Sequence, residues 1–155
     1  MNVIKRKYDP ILAKQFIVGV LIGSSSDQQI LKKSGLSNLF KKFGIDFEIS
    51  IISSDRNPEK LRKYCLNNSK RLSLIIALAS GVPNLPIVAK SWLPHIPVIS
   101  VPIEENPDFV LAAITTPKNI PIIVAGYGIK GIQKAAYITR DLIELWKKNE
   151  QYEKD

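Results

Sequence analysis

Two segments of the 155-residue chain gather hydroxyls, carboxylates and a guanidinium at spacings suited to a phosphorylated ligand. The first, Gly23-Ser24-Ser25-Ser26-Asp27, follows an apolar run and opens a helical pattern. It therefore offers hydroxyls and free backbone N–H groups at the positive end of a helix, an arrangement that receives phosphate or sugar hydroxyls. Ser and Asp before a helix also serve ordinary capping, so this segment taken alone supports both readings. The second, Ser53-Ser54-Asp55-Arg56-Asn57-Pro58, carries a guanidinium whose fork can hold two phosphate oxygens at once, with Ser53 as a further donor. An Asp55–Arg56 pair that merely fixes the loop is the alternative here.

Other chemistries are excluded by what the chain lacks. One cysteine and one histidine rule out an internal disulfide and a structural zinc site of the four-cysteine or cysteine–histidine kind. Metal-free chemistry is the expectation. The lone Cys65, with Leu61 and Leu66 as helical neighbours, reads as a small buried hydrophobe and not a nucleophile. Lys plus Arg outnumber Asp plus Glu by 22 to 14, a formal charge of +8, which admits anionic partners. The basic residues nevertheless stand in scattered pairs, such as Lys32 with Lys33 and Lys41 with Lys42, and no aromatic residues interleave them. That pattern fits a solvated surface better than a nucleic-acid groove, so nucleic acid is not an expected partner.

The apolar run 16–22 behind Lys5, Arg6 and Lys7 is short for a secretory core and lacks a small-residue cleavage pattern. No stretch approaches the roughly 20 apolar residues of a membrane span, so no membrane partner and a cytoplasmic location are expected.

The elements that must position these residues alternate. Short β-branched apolar runs at 16–22, 47–52, 72–77, 97–101 and 121–124 read as strands covered on both faces, and helical patterns lie between them. Alternation of this kind implies right-handed βαβ units in a parallel sheet. In such a sheet, ligands bind where strand ends lead into helix starts, which is where both polar segments fall. Ser26 with Gln29 forms a capping box for a first helix that runs on through Leu36, Leu39, Phe40 and Phe43 to Gly44. Asn57 and Pro58 start a second helix with Leu61, Tyr64 and Cys65 on its buried stripe. A third, 85–93, is interrupted by Pro86; a fourth is capped near Asp108; and 131–148 reads as a long terminal helix. No repeat or linker appears, so 1–155 is expected to be one domain with a basic arm at 1–14 and a polar tail at 147–155.

Taken together the motifs are more specific than either segment. Gly-Ser-x-Ser-Asp after the first strand, then Ser-x-x-Arg-x-Pro about 30 residues on, resembles the PurE family, the 5-(carboxyamino)imidazole ribonucleotide mutases and aminoimidazole ribonucleotide carboxylases of purine synthesis. Residues 77–86, Ala-Leu-Ala-Ser-Gly-Val-Pro-Asn-Leu-Pro, stand where that family has a glycine-rich loop. Pro97-Val98-Ile99-Ser100-Val101-Pro102 resembles its following strand, and 128–136 the opening of its last helix. The resemblance implies a flavodoxin-like three-layer α/β/α fold with a parallel five-stranded sheet in the order 2-1-3-4-5, a homo-octamer, and no metal or organic cofactor. It also implies a site for a phosphorylated aminoimidazole ribonucleotide: Ser24 and Arg56 toward the phosphate, Asp27 toward the ribose hydroxyls, Ser26 and Ser53 in support, and Ser80, Gly81 and Asn84 from the third loop.

Departures from the family pattern concern the proton-transfer groups. Asp55 stands where the family has a histidine that shuttles the ring-carbon proton, and Asn84 stands where it has a second histidine. Leu78, Ser80 and Pro83 replace small or glycine residues, and Gly81 alone keeps the glycine character. His95, just before the fourth strand, is expected at the opposite edge of the sheet as a turn residue. By position Asp55 is the candidate catalytic group, although a carboxylate beside a guanidinium is a weaker base at neutral pH than an imidazole. Two functions follow: a nucleotide-binding family member without the mutase reaction, which the losses favour, or an active mutase with Asp55 in the histidine's place.

Overall fold

The computed structural model describes residues 15–152; the arm 1–14 and the last three residues of the polar tail lie outside that range. Five parallel strands, β1 (Ile17–Ile22), β2 (Asp46–Ile51), β3 (Leu74–Ala79), β4 (Val98–Pro102) and β5 (Ile123–Val124), form one sheet in the order β2-β1-β3-β4-β5. The helices are α1 (Gln28–Ser34), α2 (Leu36–Phe43), α3 (Pro58–Asn68), α4 (Asn84–Trp92), α5 (Pro107–Ile114) and α6 (Gly128–Tyr152). The fold is the flavodoxin-like three-layer arrangement that the sequence implies.

Strand alternation sends successive side chains to opposite faces and thereby builds two cores. Val18, Val20, Ile22, Leu74, Ile76 and Leu78 meet Leu31, Leu36 and Phe40 of α1 and α2, and Ile132, Ala135 and Ala136 of α6. On the other face Leu21, Ile75, Ala77 and Val98 meet Leu61 and Cys65 of α3, and Leu85 and Ala89 of α4. Each fully buried Leu, Ile or Phe contributes about 1.5–3 kcal/mol of burial free energy.

Continuous burial holds for β1, β3 and β4 but not for β2. Edge strand β2 alternates, with Ile49 and Ile51 exposed, and among the described residues nothing lies beyond it. Strand β3 also begins two residues later than the apolar run suggests. Leu72 is buried but belongs to the approach from α3, and its N–H bonds to Asn68 O.

The first helical pattern, expected as one helix, is three pieces. A 3-10 turn at Ser25–Asp27 precedes α1, and Gly35, at φ +71°, breaks α1 from α2. The apolar period survives the break, which is why the pattern reads as continuous. Ser24, not Ser26, is the cap: its side chain accepts from Ser26 N–H at 3.4 Å. Asn57 makes no side-chain cap bond, although Pro58 does sit in the first turn of α3. Pro86 interrupts nothing, because it falls in the first turn of α4, where its missing N–H has no intrahelical partner to lose. Asn106 caps α5 by accepting from Asp108 N–H at 2.9 Å. Helix α6 carries helical backbone through Tyr152, well into the polar tail.

Gly131 shows how tightly α6 docks. A Cβ there would stand 2.7 Å from the carbonyl carbon of Gly126 and 2.9 Å from its oxygen, both backbone atoms with nowhere to move. Gly131→Ala is expected to lower stability by about 1–3 kcal/mol, the usual cost of overpacking, measured as a shift in urea midpoint at unchanged slope. An unshifted midpoint would mean that α6 is not seated on the Gly126 turn.

Candidate functional site

The sheet order places the exits of β1, β2 and β3 side by side, and their loops enclose a cleft of about 350 Å³ at the carboxyl edge. Ser24, Ser26 and Asp27 line it from the β1 loop; Ser53, Asp55 and Arg56 from the β2 loop; and Ser80 from the β3 loop. Ser54, Val82 and Leu85 also line the wall, and sequence reasoning did not single these out. Strand order reverses direction at β1, and such switch points are where open parallel sheets leave a crevice.

Asp27 is the anchor. It is only 6% exposed, and its Oδ1 accepts from Ser80 Oγ at 2.8 Å and from Ser26 Oγ at 3.3 Å. Its Oδ2 is buried without a partner among the described residues. Buried carboxylate oxygens are normally hydrogen-bonded, so this one marks a polar atom that the described residues leave unsatisfied beneath the cleft. Ser24 Oγ lies 2.9 Å from Ser26 Oγ and can donate to it while Ser26 donates to Asp27, which joins the three residues into one chain of hydroxyls leading to the carboxylate.

Arg56 is exposed and uses one guanidinium nitrogen, Nη2, to donate to Gly23 O at 3.0 Å. That bond ties the β2 loop to the β1 loop and leaves most of the five donors of the fork for an anion. Ser53 Oγ accepts from Arg56 N–H at 3.1 Å, so the hydroxyl shapes the turn that presents the guanidinium. The alternative of an Asp55–Arg56 pair is not realised. Asp55, also exposed, turns the other way, where its Oδ1 accepts from Asn84 Nδ2 at 3.2 Å and from Ser54 Oγ at 3.2 Å.

Gly81 and Asn84 do not line the cleft itself. Asn84 begins α4 and is held by Asp55, and Gly81 lies in the left-handed region, at φ +68°, with its N–H donating to Glu104 Oε2 at 2.9 Å. Glu104 had no motif to betray it. Its position follows from the pairing of β3 with β4, which a sequence pattern does not specify residue by residue.

His95 occupies an exposed turn before β4, at the far edge from the cleft. Among the described residues, no group of three His, Cys, Asp or Glu side chains is arranged to hold a metal ion, and no helix is long and apolar enough to cross a membrane. Cys65 is fully buried in the α3–α4 core, and burial pushes its thiol up to about 11.

Residues 17–154 match the family described as AIR carboxylase. An N5-carboxyaminoimidazole ribonucleotide mutase of Pyrococcus abyssi is 35% identical over 133 residues, 83% of this chain and 74% of the relative. A Pseudomonas aeruginosa protein of the same name is 32% identical over 141 residues, 88% of this chain and 83% of its own. The crystal structure of Treponema denticola PurE superposes with a TM-score of 0.65 at 20% identity, covering 90% of this chain and 96% of that one, which is a likeness of fold.

The inertness of Cys65 has a direct check. At about pH 8 a thiol reagent should label the native chain only as fast as it opens, and the denatured chain at once. Equal labelling rates would place the thiol in solvent, outside the α3 core.

Proposed function

The chain belongs to the AIR carboxylase, or PurE, family, and from that premise we propose that its cleft binds an aminoimidazole-ribonucleotide-type nucleotide monophosphate without carrying out the family's mutase reaction. The observation that carries the binding half is the buried, unpartnered Oδ2 of Asp27 in a cleft that also holds the guanidinium of Arg56. In this reading the phosphate sits against Arg56, Ser24 and Ser53, while the ribose hydroxyls donate to Asp27, whose orientation Ser26 and Ser80 maintain. The relatives named as mutases supply the ligand class. Nothing in the reading calls on a metal or an organic cofactor, and the protein acts in the cytoplasm.

What supports the non-catalytic half is the Asp55–Asn84 hydrogen bond. The two positions that carry the family's histidines by resemblance are here joined to each other, with Asp55 Oδ1 taken up by Asn84 and Ser54. An imidazole can pass a proton through one nitrogen while holding a partner with the other; this pair has no equivalent group. Leu78, Ser80 and Pro83 in place of small or glycine residues further restrict how closely the β3 loop backbone can approach a ligand.

A homo-octamer belongs to the same proposal. Trp92 and Tyr137 are 38% and 43% exposed, large apolar surfaces of the kind that subunit contacts cover. Trp146, by contrast, packs on Phe16 of its own chain with ring centroids 5.8 Å apart. Light scattering at micromolar concentration should give a multiple of the 17.3 kDa chain, near eightfold; the mass of a single chain would contradict the assembly.

Arg56→Ala should weaken binding of 5-aminoimidazole ribonucleotide, measured by calorimetry, by about 1.5–3 kcal/mol, the worth of a hydrogen bond to a charged group. Asp55→Ala should change it little. In a ring-carboxylation assay the wild type should bind and not turn over. Robust turnover abolished by Asp55→Ala would replace this reading with an active mutase that uses Asp55 for the proton.

A further inference from the structure

Helix α5 is apolar without being buried. Six of its eight residues, 109–114, are apolar, yet only Ala113 lies in the interior, while Leu111 is 57% exposed and Ile114 61%. A helix this short keeps its shape by packing and not by intrinsic propensity, and a helix apolar around most of its circumference belongs in an interior. One buried alanine supplies little of that packing. Val110, Leu111 and Ile114 fall at helical spacing and form one wall of a groove of about 580 Å³. Tyr127, in the turn before α6, forms the other wall; it is 41% exposed, and its OH donates to Glu105 Oε1 at 2.9 Å, which fixes the ring beside the groove. The polar part of the lining is Glu105 and Asp108, with no Lys or Arg, and neither carboxylate belongs to an ion pair among the described residues.

We propose that a second copy of this chain covers this face, with α5 and Tyr127 at the centre of the contact. Size supports that occupant. The exposed parts of Val110, Leu111, Ile114 and Tyr127 amount to on the order of 400 Å² of apolar surface, the scale at which a patch marks a contact site. An apolar centre of that area with the usual polar rim corresponds to roughly 700 Å² per partner, which falls among specific interfaces and above incidental ones. Charge supports it as well. The rim carboxylates call for cations, and with 22 Lys plus Arg against 14 Asp plus Glu a second copy is a cationic partner. The inference rests on the reading of the chain as a homo-oligomer and adds a contact away from Trp92 of α4 and Tyr137 of α6. A closed eight-copy assembly uses more than one kind of contact, so the α5 contact is separable from the others.

Light scattering at micromolar concentration on the wild type, Leu111→Lys and Ile114→Lys tests this, with circular dichroism to check that each variant is folded. Both side chains are exposed in the single chain, so the substitutions leave the two cores intact. Each variant should show no more than about half the wild-type mass at unchanged helix content. A third variant, Leu111→Cys, reads coverage without adding a charge. Cys65 is the chain's one cysteine and is buried, so the introduced thiol is the one that a reagent reaches. In the assembled protein it should react at least about tenfold more slowly than in the denatured chain, and should the Lys variants not fold, this measurement decides alone. Folded Lys variants of full wild-type mass, or an introduced thiol as reactive in the assembly as in the denatured chain, would overturn the proposal and leave the oligomer standing. A slow thiol in a population of single-chain mass would assign the cover to the chain itself and overturn it too. A wild type of single-chain mass would remove the oligomer and this contact together.

Discussion

A carboxylate taken out of water must be given hydrogen bonds or its burial costs several kcal/mol, and Asp27 lives under that constraint. The 2.8 Å bond from Ser80 Oγ satisfies half of it and simultaneously joins the loop after β1 to the loop after β3. Ser24 sets the 3-10 turn that carries Asp27 inward, and Ser26 adds the second donor to Oδ1. The other oxygen has no partner among the described residues. Remove the Ser80–Asp27 contact and the cleft loses both its floor and the coupling of two of its three walls.

The sheet makes that coupling possible. Because β1 lies between β2 and β3, three loop exits converge at one edge, and the Arg56–Gly23 bond closes the remaining side. The two cores matter to function through this: α1, α2 and α6 on one face and α3 and α4 on the other hold the strand ends so that hydroxyls, guanidinium and carboxylates arrive from separate segments. A basic chain thus keeps a cleft whose lining contains two carboxylates, Asp27 and Asp55, beside one guanidinium, and local charge, not the total of +8, decides what the site accepts.

Much of this was legible in the sequence because it is local. Continuous β-branched runs marked the central strands, Pro58 marked a helix start, and Ser24, Asp27 and Arg56 stood at loop positions that a parallel sheet must bring to one edge. What stayed hidden depends on backbone conformation or on partners far along the chain. Gly35 sits in a helical pattern, and only its positive φ shows that the helix is broken. Ser26 satisfies the spacing of a capping box, yet the 3-10 turn gives that place to Ser24. Asp55 is adjacent to Arg56 in sequence but bonds to Asn84, 29 positions away, and Glu104 reaches Gly81 across the β3–β4 pairing. Periodicity reports which face a residue occupies; it does not report which neighbour an exposed side chain chooses.

The central claim is that a phosphorylated ribonucleotide supplies the missing partner of Asp27. A crystal structure of the chain with 5-aminoimidazole ribonucleotide tests it most directly. The account predicts the phosphate within hydrogen-bond distance of Arg56 and a ribose hydroxyl donating to Asp27 Oδ2. A ribonucleotide bound elsewhere, or bound in the cleft with Oδ2 still unpartnered, would contradict it.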